Sequence, residues 1–302
     1  MAAEPLAPWL AAFDAEATRA CLTLSPKALQ GWFDAVAKSR HLITGRGAPL
    51  RMVDQLALPT GCSYETHIAQ TGGLPTRDNL HDRYNALMWL HLPKLKASLN
   101  ALQAQEIDRS GHRGNQRGPW RDWATLLDES GVLVVALRDG QLLRDCWDRR
   151  DWSGLFWGWR SRWQLTGQSP SARPDWQHST DSRAASVFGC PEWSVWPLGH
   201  ALLEKGHRPY KAITAQAWVL DCSDLVPTDQ LAVGRAMDWG QVDHWASQAL
   251  HRKQQAETDR PSRLWPLPIM GVPGWCRENQ SVDFYRDTEV FRSAKSRPAP
   301  GS

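Results

Sequence analysis

Residues 76–91, TRDNLHDRYNALMWLH, read as one helix that no water-facing surface would carry. The stretch brings together Arg77, Asp78, His81, Asp82 and Asn85, side chains that bind ligands or move protons, where a surface helix ordinarily shows Lys and Glu. At about 100° per residue these five fall along one arc of roughly 140°. Leu80, Tyr84 and Leu87 take the opposite side, but Met88 and Trp89 sit inside the polar arc. An arc turned to bulk water would have little reason to carry them. Both faces need cover, so other elements must pack round this helix and its polar side chains must face a cleft. Thr76 is expected to cap the helix, with Asp78 at the positive end of its dipole, and Pro93 to stop it.

The rest of the chain supplies that cover. Residues 5–40 read as helical, with Ser25 as a cap before Pro26 at a first helical position. Residues 42–63, with their glycines and prolines, predict a loop or short strand. A second helix over 94–107 carries Leu95, Leu99, Leu102 and Ile107 on one stripe. Residues 122–130 predict a short helix, and Val132–Leu137 a buried strand. The Trp/Arg-rich segment 141–163 is helical at first, and the polar segment 164–186 reads as a flexible insertion. A short helix ending at Gly206 follows, then a strand over 211–221 and a helix over 242–256. The segment Pro266–Trp275 is too rich in proline for regular structure but apolar enough to pack back. Helices outnumber strands. The expected fold is α+β, predominantly helical with a small sheet, in a single compact domain. Within it we expect an N-terminal helical segment over 1–58, a main domain over 59–292 and a disordered tail over 293–302.

A chain of 302 residues can bury such a core without staples. Its net charge of +3 is small for this length and argues against specificity for double-stranded DNA. The six cysteines are far apart, with no Cys-x-x-Cys pair, which argues against zinc ribbons and redox motifs. The first residues lack the basic and apolar regions of an export signal, and no stretch approaches the roughly 20 apolar residues that span a bilayer. The expectation is a soluble cytoplasmic protein that avoids membranes. Eighteen tryptophans mostly fill the core and stack on arginines.

The polar helix carries the candidate chemistry. His81 between Asp78 and Asp82 suits acid–base work, and Asn85 can orient a partner by hydrogen bonding. Arg77 suits an anion clamp. His81 and Asp82 could also begin a divalent-metal site, although one helix rarely supplies every ligand. His200 and Glu204, four apart and so on one face of another helix, are second-line candidates. Asp128-Glu129, just before the buried strand, either overhangs a cleft or only shapes a turn. The bland alternative makes Arg77, Asp78 and Asp82 an ion-paired network with no function.

His67, Asn79 and His81 loosely resemble the His…Asn…His arrangement of ββα-metal nucleases. The pattern departs at Thr66, where an acidic ligand is usual, with Glu65 one position off. A binding role has its own signature. Arg109, His112, Arg113, Arg117 and Arg121 form a basic loop, and Arg144–Trp163 interleaves arginine with tryptophan, as single-stranded nucleic-acid binders do. Asp145, Asp148 and Asp151 cancel much of that field, so Trp–Arg packing explains the segment more simply.

The run PTRDNLHDRYNALMWLHLPKLKASLNALQ resembles the hallmark of an uncharacterised bacterial domain-of-unknown-function family, the DUF3025 family. RGPWRDWATLLDESG at 117–131, PLGHALLEKGHRPYKAITA at 197–215, and PLPIMGVPGWCREN with FYRDTEVFR near the C-terminus look like the same family. The resemblance extends from about residue 59 to 292. It implies a soluble bacterial protein and no particular activity. The family pattern asks for Thr76, Arg77, Asn79, His81, Asp82 and Asn85, all present, but not for His67, which weakens the nuclease comparison. Leu92 stands where the pattern favours Phe. The leading expectation is a cytoplasmic, metal-assisted hydrolase of an anionic, phosphate-containing small molecule, with its site on helix 76–91. The alternative is a non-catalytic protein whose Trp/Arg surface binds RNA or another protein.

Overall fold

The structure, a computed structural model, describes residues 8–110, 118–164, 192–224 and 237–294. Helices α1 (Ala15–Thr23) and α2 (Pro26–Ser39) form where the apolar spacing predicts them, and Pro26 opens α2 although Ser25 makes no side-chain cap bond. The loop region contains a short strand, β1 (Arg51–Asp54). Helix α3 (Tyr64–Thr71) then returns the chain to β2 (Gly73–Thr76), which pairs with β1 in parallel. The return needs Gly72, whose φ is 70° and where a Cβ would run into the Pro49 carbonyl. Because Thr76 closes β2 and donates its hydroxyl to Leu74 O at 3.0 Å, it is not the expected helix cap. Asn79 is, its Oδ1 accepting the Asp82 N–H at 2.8 Å ahead of α4 (Leu80–His91). Arg77 and Asp78 therefore precede the helix, and their place on its arc does not hold.

Every residue of α4 from Asp82 to His91 is buried, as a helix with apolar residues on both faces requires. Helix α1 packs on it, α5 (Pro93–Ser110) follows it, and α8 (His200–Lys205) lies across it. Helix α6 (Pro119–Ser130) leads into β3 (Gly131–Ala136), and α7 (Gly140–Arg149) leaves it. Strands β4 (Trp163–Gln164), β5 (Trp193–Pro197), β6 (Thr214–Asp221) and β7 (Trp265–Pro268) complete a mixed sheet in the order β4-β5-β3-β6-β7.

The sheet is covered on both sides. Val132, Val134 and Ala136 of β3 join a core with Phe33, Trp89 and Leu143, while Leu133 and Val135 join a second core with Leu99 of α5, Leu127 of α6 and Leu250 of α9 (Trp239–Ala256). Burial on both faces explains why this strand reads as an unbroken apolar run rather than an alternation.

The proline-rich segment does form regular structure, contrary to expectation. Pro266 and Pro268 sit two apart on β7, the edge strand, opposite Gln216 and Thr214. Residues two apart face the same way, so both missing N–H groups can point off the ladder. The Pro266 carbonyl does turn away, accepting from Trp147 Nε1 at 2.9 Å. The insertion expected over 164–186 lies almost wholly outside the described residues, as do His112, Arg113, Arg117 and the tail from 295. No described helix is long and apolar enough to cross a membrane.

Candidate metal centre

The sheet topology brings the site together. β3 and β5 are antiparallel, with Val132 opposite Pro197, so β3 begins beside the end of β5. Helix α6 enters at that corner and α8 leaves from it. The Gly131 carbonyl accepts the N–H groups of Leu198 at 3.1 Å and Gly199 at 2.8 Å. A Cβ on Gly199 would stand 2.6 Å from Glu129 O, Ser130 Cα and Gly131 N, so only glycine lets the two helix ends meet this closely. That contact places Glu129 against His200, and α4 packing over α8 adds His81.

His81 Nε2 lies 3.8 Å and His200 Nε2 3.4 Å from the same oxygen, Glu129 Oε2. The other nitrogen of His81, Nδ1, lies 3.2 Å from Glu204 Oε2. The two imidazoles meet edge to face, with centroids 4.4 Å apart. Ligand atoms from His81, Glu129 and His200 all fall within 4.8 Å of one another, the one such grouping among the described residues. Two donors each about 2.1 Å from one ion, at a tetrahedral angle, stand about 3.4 Å apart. The spacing fits a single cation with little side-chain movement. His200 is buried, and its Nδ1 has no hydrogen-bond partner among the described residues. His81 and Glu129 are half-buried and Glu204 is exposed, so the mouth is open to solvent. Hydrogen bonding to His200, against the effect of burial, holds the Glu129 carboxyl below its usual range.

Asp128, next to Glu129 in the chain, lines a narrow cleft between α3, α4, α5 and α6. Lys96 Nζ donates to Asp128 Oδ1 at 2.5 Å and to Asn85 Oδ1 at 2.8 Å, and Asn85 Nδ2 donates to the Tyr64 hydroxyl at 2.9 Å. Asn100 Nδ2 donates to Glu65 Oε2 at 2.6 Å. Glu65 keeps some solvent contact, yet burial, and then the charge of Asp128, push its carboxyl up to about 7 despite Lys96, Asn100 and His200. A carboxyl titrating there can both take and give a proton at neutral pH.

The structure separates the residues singled out on the polar helix. The Asp82 carboxylate accepts from the Arg77 backbone N–H at 2.7 Å, and from its Nε and Nη2 at 2.9 Å each. Burial pushes this carboxyl up, but the bonds to Arg77 outweigh it and hold it below the usual range. With both oxygens engaged by Arg77, Asp82 shapes the turn into α4, and the residues grouped closely enough to hold a metal are His81, Glu129 and His200. Asp78 pairs with Arg83, whose guanidinium also reaches the Cys21 and Leu24 carbonyls at 2.8 and 2.9 Å and so ties α1 to α4. Asn85 lies in the neighbouring polar cleft, where its Oδ1 accepts from Lys96 Nζ. His200 and Glu204 both reach His81. His67 sits on helix α3 and Asn79 caps α4, its side chain bonded to the Asp82 N–H.

Glu65, Lys96 and Asn100 were not legible as site residues, though one signal existed. Lys96, Asn100 and Gln103 repeat at helical spacing beside Leu95, Leu99 and Leu102, and both stripes of α5 are buried. In the Trp/Arg segment Arg144, Arg160 and Arg162 bond within the fold, Arg144 pairing with Asp221. Arg160 donates to Asn279 O at 3.0 Å and lies over Trp157, while Arg162 pairs with Asp139 and Glu192 and lies over Trp159.

The family described as "Protein of unknown function (DUF3025)" matches residues 50–170 and 172–295. The chain belongs to the DUF3025 family. All residues of the centre and of the polar cleft fall inside the matched span, whereas α1 and α2 precede it. No curated protein and no solved structure matches this DUF3025 chain.

Proposed function

We propose that this DUF3025 protein is a metal-dependent hydrolase of an anionic, phosphate-bearing substrate, its divalent cation held by His81, Glu129 and His200. The observation that carries the reading is the convergence of these three side chains, from three separate helices, to within 4.8 Å. Two imidazoles and one carboxylate suit borderline ions such as zinc, with positions left for water and substrate. Such an ion would supply Lewis acidity toward water and a phosphoryl oxygen. Glu65, in the cleft that Asp128 also lines, would be the group to take up a proton. Arg77, its side chain 58% exposed beside Asp82, offers an anion contact. We also assign the protein to the bacterial cytoplasm, a reading supported by its family pattern and by the free thiols of Cys21, Cys62, Cys146, Cys222 and Cys276.

The test is metal analysis of protein purified without chelator or histidine tag. About one zinc, manganese or iron ion per chain, absent from His81→Ala and His200→Ala, is the expected result. Turnover of p-nitrophenyl phosphate by the loaded wild type, absent from Glu65→Gln, supports the hydrolytic part. Wild-type protein that neither carries a metal nor takes up added zinc makes the cluster a plain ion-pair network and sinks the proposal.

A further inference from the structure

Glu204 belongs to the same cluster, and no role follows for it from the ligand count. It lies one helical turn after His200, so α8 presents both side chains on one face. The His81 ring stands between two carboxylates. Nδ1 is 3.2 Å from Glu204 Oε2, and Nε2 is 3.8 Å from Glu129 Oε2. A neutral imidazole carries one N–H and one lone pair. The N–H is best satisfied by the nearer carboxylate, which leaves the Nε2 lone pair facing Glu129 Oε2. Two electron-rich atoms in that position repel unless a cation sits between them, and His200 Nε2 closes the same space from 3.4 Å.

We infer that Glu204 is a positioning residue: it holds His81 as the Nδ1–H tautomer, aims Nε2 into the centre, and so tunes the site for zinc-class ions over magnesium or calcium. The inference rests on the metal reading above. The physical basis is general. A carboxylate on the far nitrogen fixes ring orientation and raises the basicity of the ligating nitrogen, and its loss costs about 10–100-fold in metal affinity. Hard cations gain less, because they favour oxygen donors. The two histidines then differ in kind. His81 is braced from behind, whereas the Nδ1 of His200 is buried without a partner among the described residues, so that ring is held by packing and Glu129. Glu204 has its side chain 45% exposed, so replacing it leaves the core untouched.

Two measurements on the full chain test this. In metal-free protein with isotope-labelled histidine, nitrogen spectra at about pH 8, above the ordinary imidazole range, should show His81 protonated at Nδ1 and bare at Nε2. His81→Gln identifies the signal. Glu204→Ala should shift it toward the Nε2–H form, and Glu204→Gln, whose amide oxygen still accepts, should preserve it. A wild-type His81 protonated at Nε2 overturns the inference. In zinc titrations, Glu204→Ala should bind with unchanged stoichiometry and about 10–100-fold weaker affinity, with excess magnesium failing to compete in the wild type. Unchanged affinity would refute the positioning role, and total loss equal to Glu129→Ala would make Glu204 a ligand instead. Wild type that binds no zinc defeats the proposed function, while the tautomer spectra still decide what Glu204 does to His81.

Discussion

Glu65 shows at the scale of one residue what the cleft does to a side chain. An exposed glutamate titrates near 4.5, but burial and the nearby Asp128 carry this one up to about 7. Folding therefore takes up a proton between those two values. The contribution is fully present below about 4.5 and is lost as the pH rises through about 7. A shift of this size corresponds to a few kcal/mol, on the order of 3. The groups facing Glu65 are Tyr64 on its own helix, Lys96 and Asn100 on α5, Asp128 on α6 and His200 on α8. His91 works the other way: burial lowers its pKa, so its contribution is present above the ordinary imidazole value and lost as the pH falls. The measurement must therefore be a difference. Urea midpoints taken between about pH 5 and 8 should fall more steeply for wild type than for Glu65→Gln, since glutamine keeps the acceptor for Asn100 and cannot titrate. Parallel slopes would show that Glu65 ionises as an ordinary exposed glutamate.

Elements were legible where one period dominated and obscure where two requirements overlapped. The apolar run at β3, the stripe of α5 and the glycine after α8 all produced the elements they predict. The start of α4 was misplaced because Thr76 and Asn79 are both competent caps, and only the pairing of β2 with β1 decides between them. The edge strand β7 was missed because proline argues against a strand, unless its N–H side faces off the ladder. His81 was readable as a candidate site residue from its neighbours, and Glu204 as sharing a face with His200. That Glu129 would join them follows from the β3–β5 register, a long-range fact no local pattern contains. Gly199 is the element-scale expression of that register. Gly199→Ala must push apart the ends of α6 and α8, which costs about 1–3 kcal/mol by the usual price of overpacking. We expect a lower urea midpoint together with loss of zinc uptake, whereas Ala201→Gly, on the same helix but away from that contact, should keep the metal. A Gly199→Ala protein that binds zinc like wild type would show that the corner yields without moving His200.

Across the whole molecule, the candidate centre is a junction of elements that are far apart in sequence. His81 comes from the buried helix α4, Glu129 from the helix that enters the sheet, and His200 from the one that leaves it. No two of the three are neighbours in sequence, so an unfolded chain cannot hold a cation with all of them. A ligand that binds only the folded form stabilises it by about 2.7 kcal/mol at a free concentration 100-fold above its Kd. For a chain of 302 residues, that raises the melting temperature by roughly 4 °C. We expect added zinc to produce such a shift in metal-stripped wild type, a chelator to reverse it, and His200→Ala to abolish it even where the variant's own melting temperature is close to that of the wild type. The cysteines give a built-in control, because zinc that bound unfolded thiols would lower the transition instead of raising it. An equal upward shift in wild type and His200→Ala would place the cation elsewhere on the surface and remove the centre's claim to it.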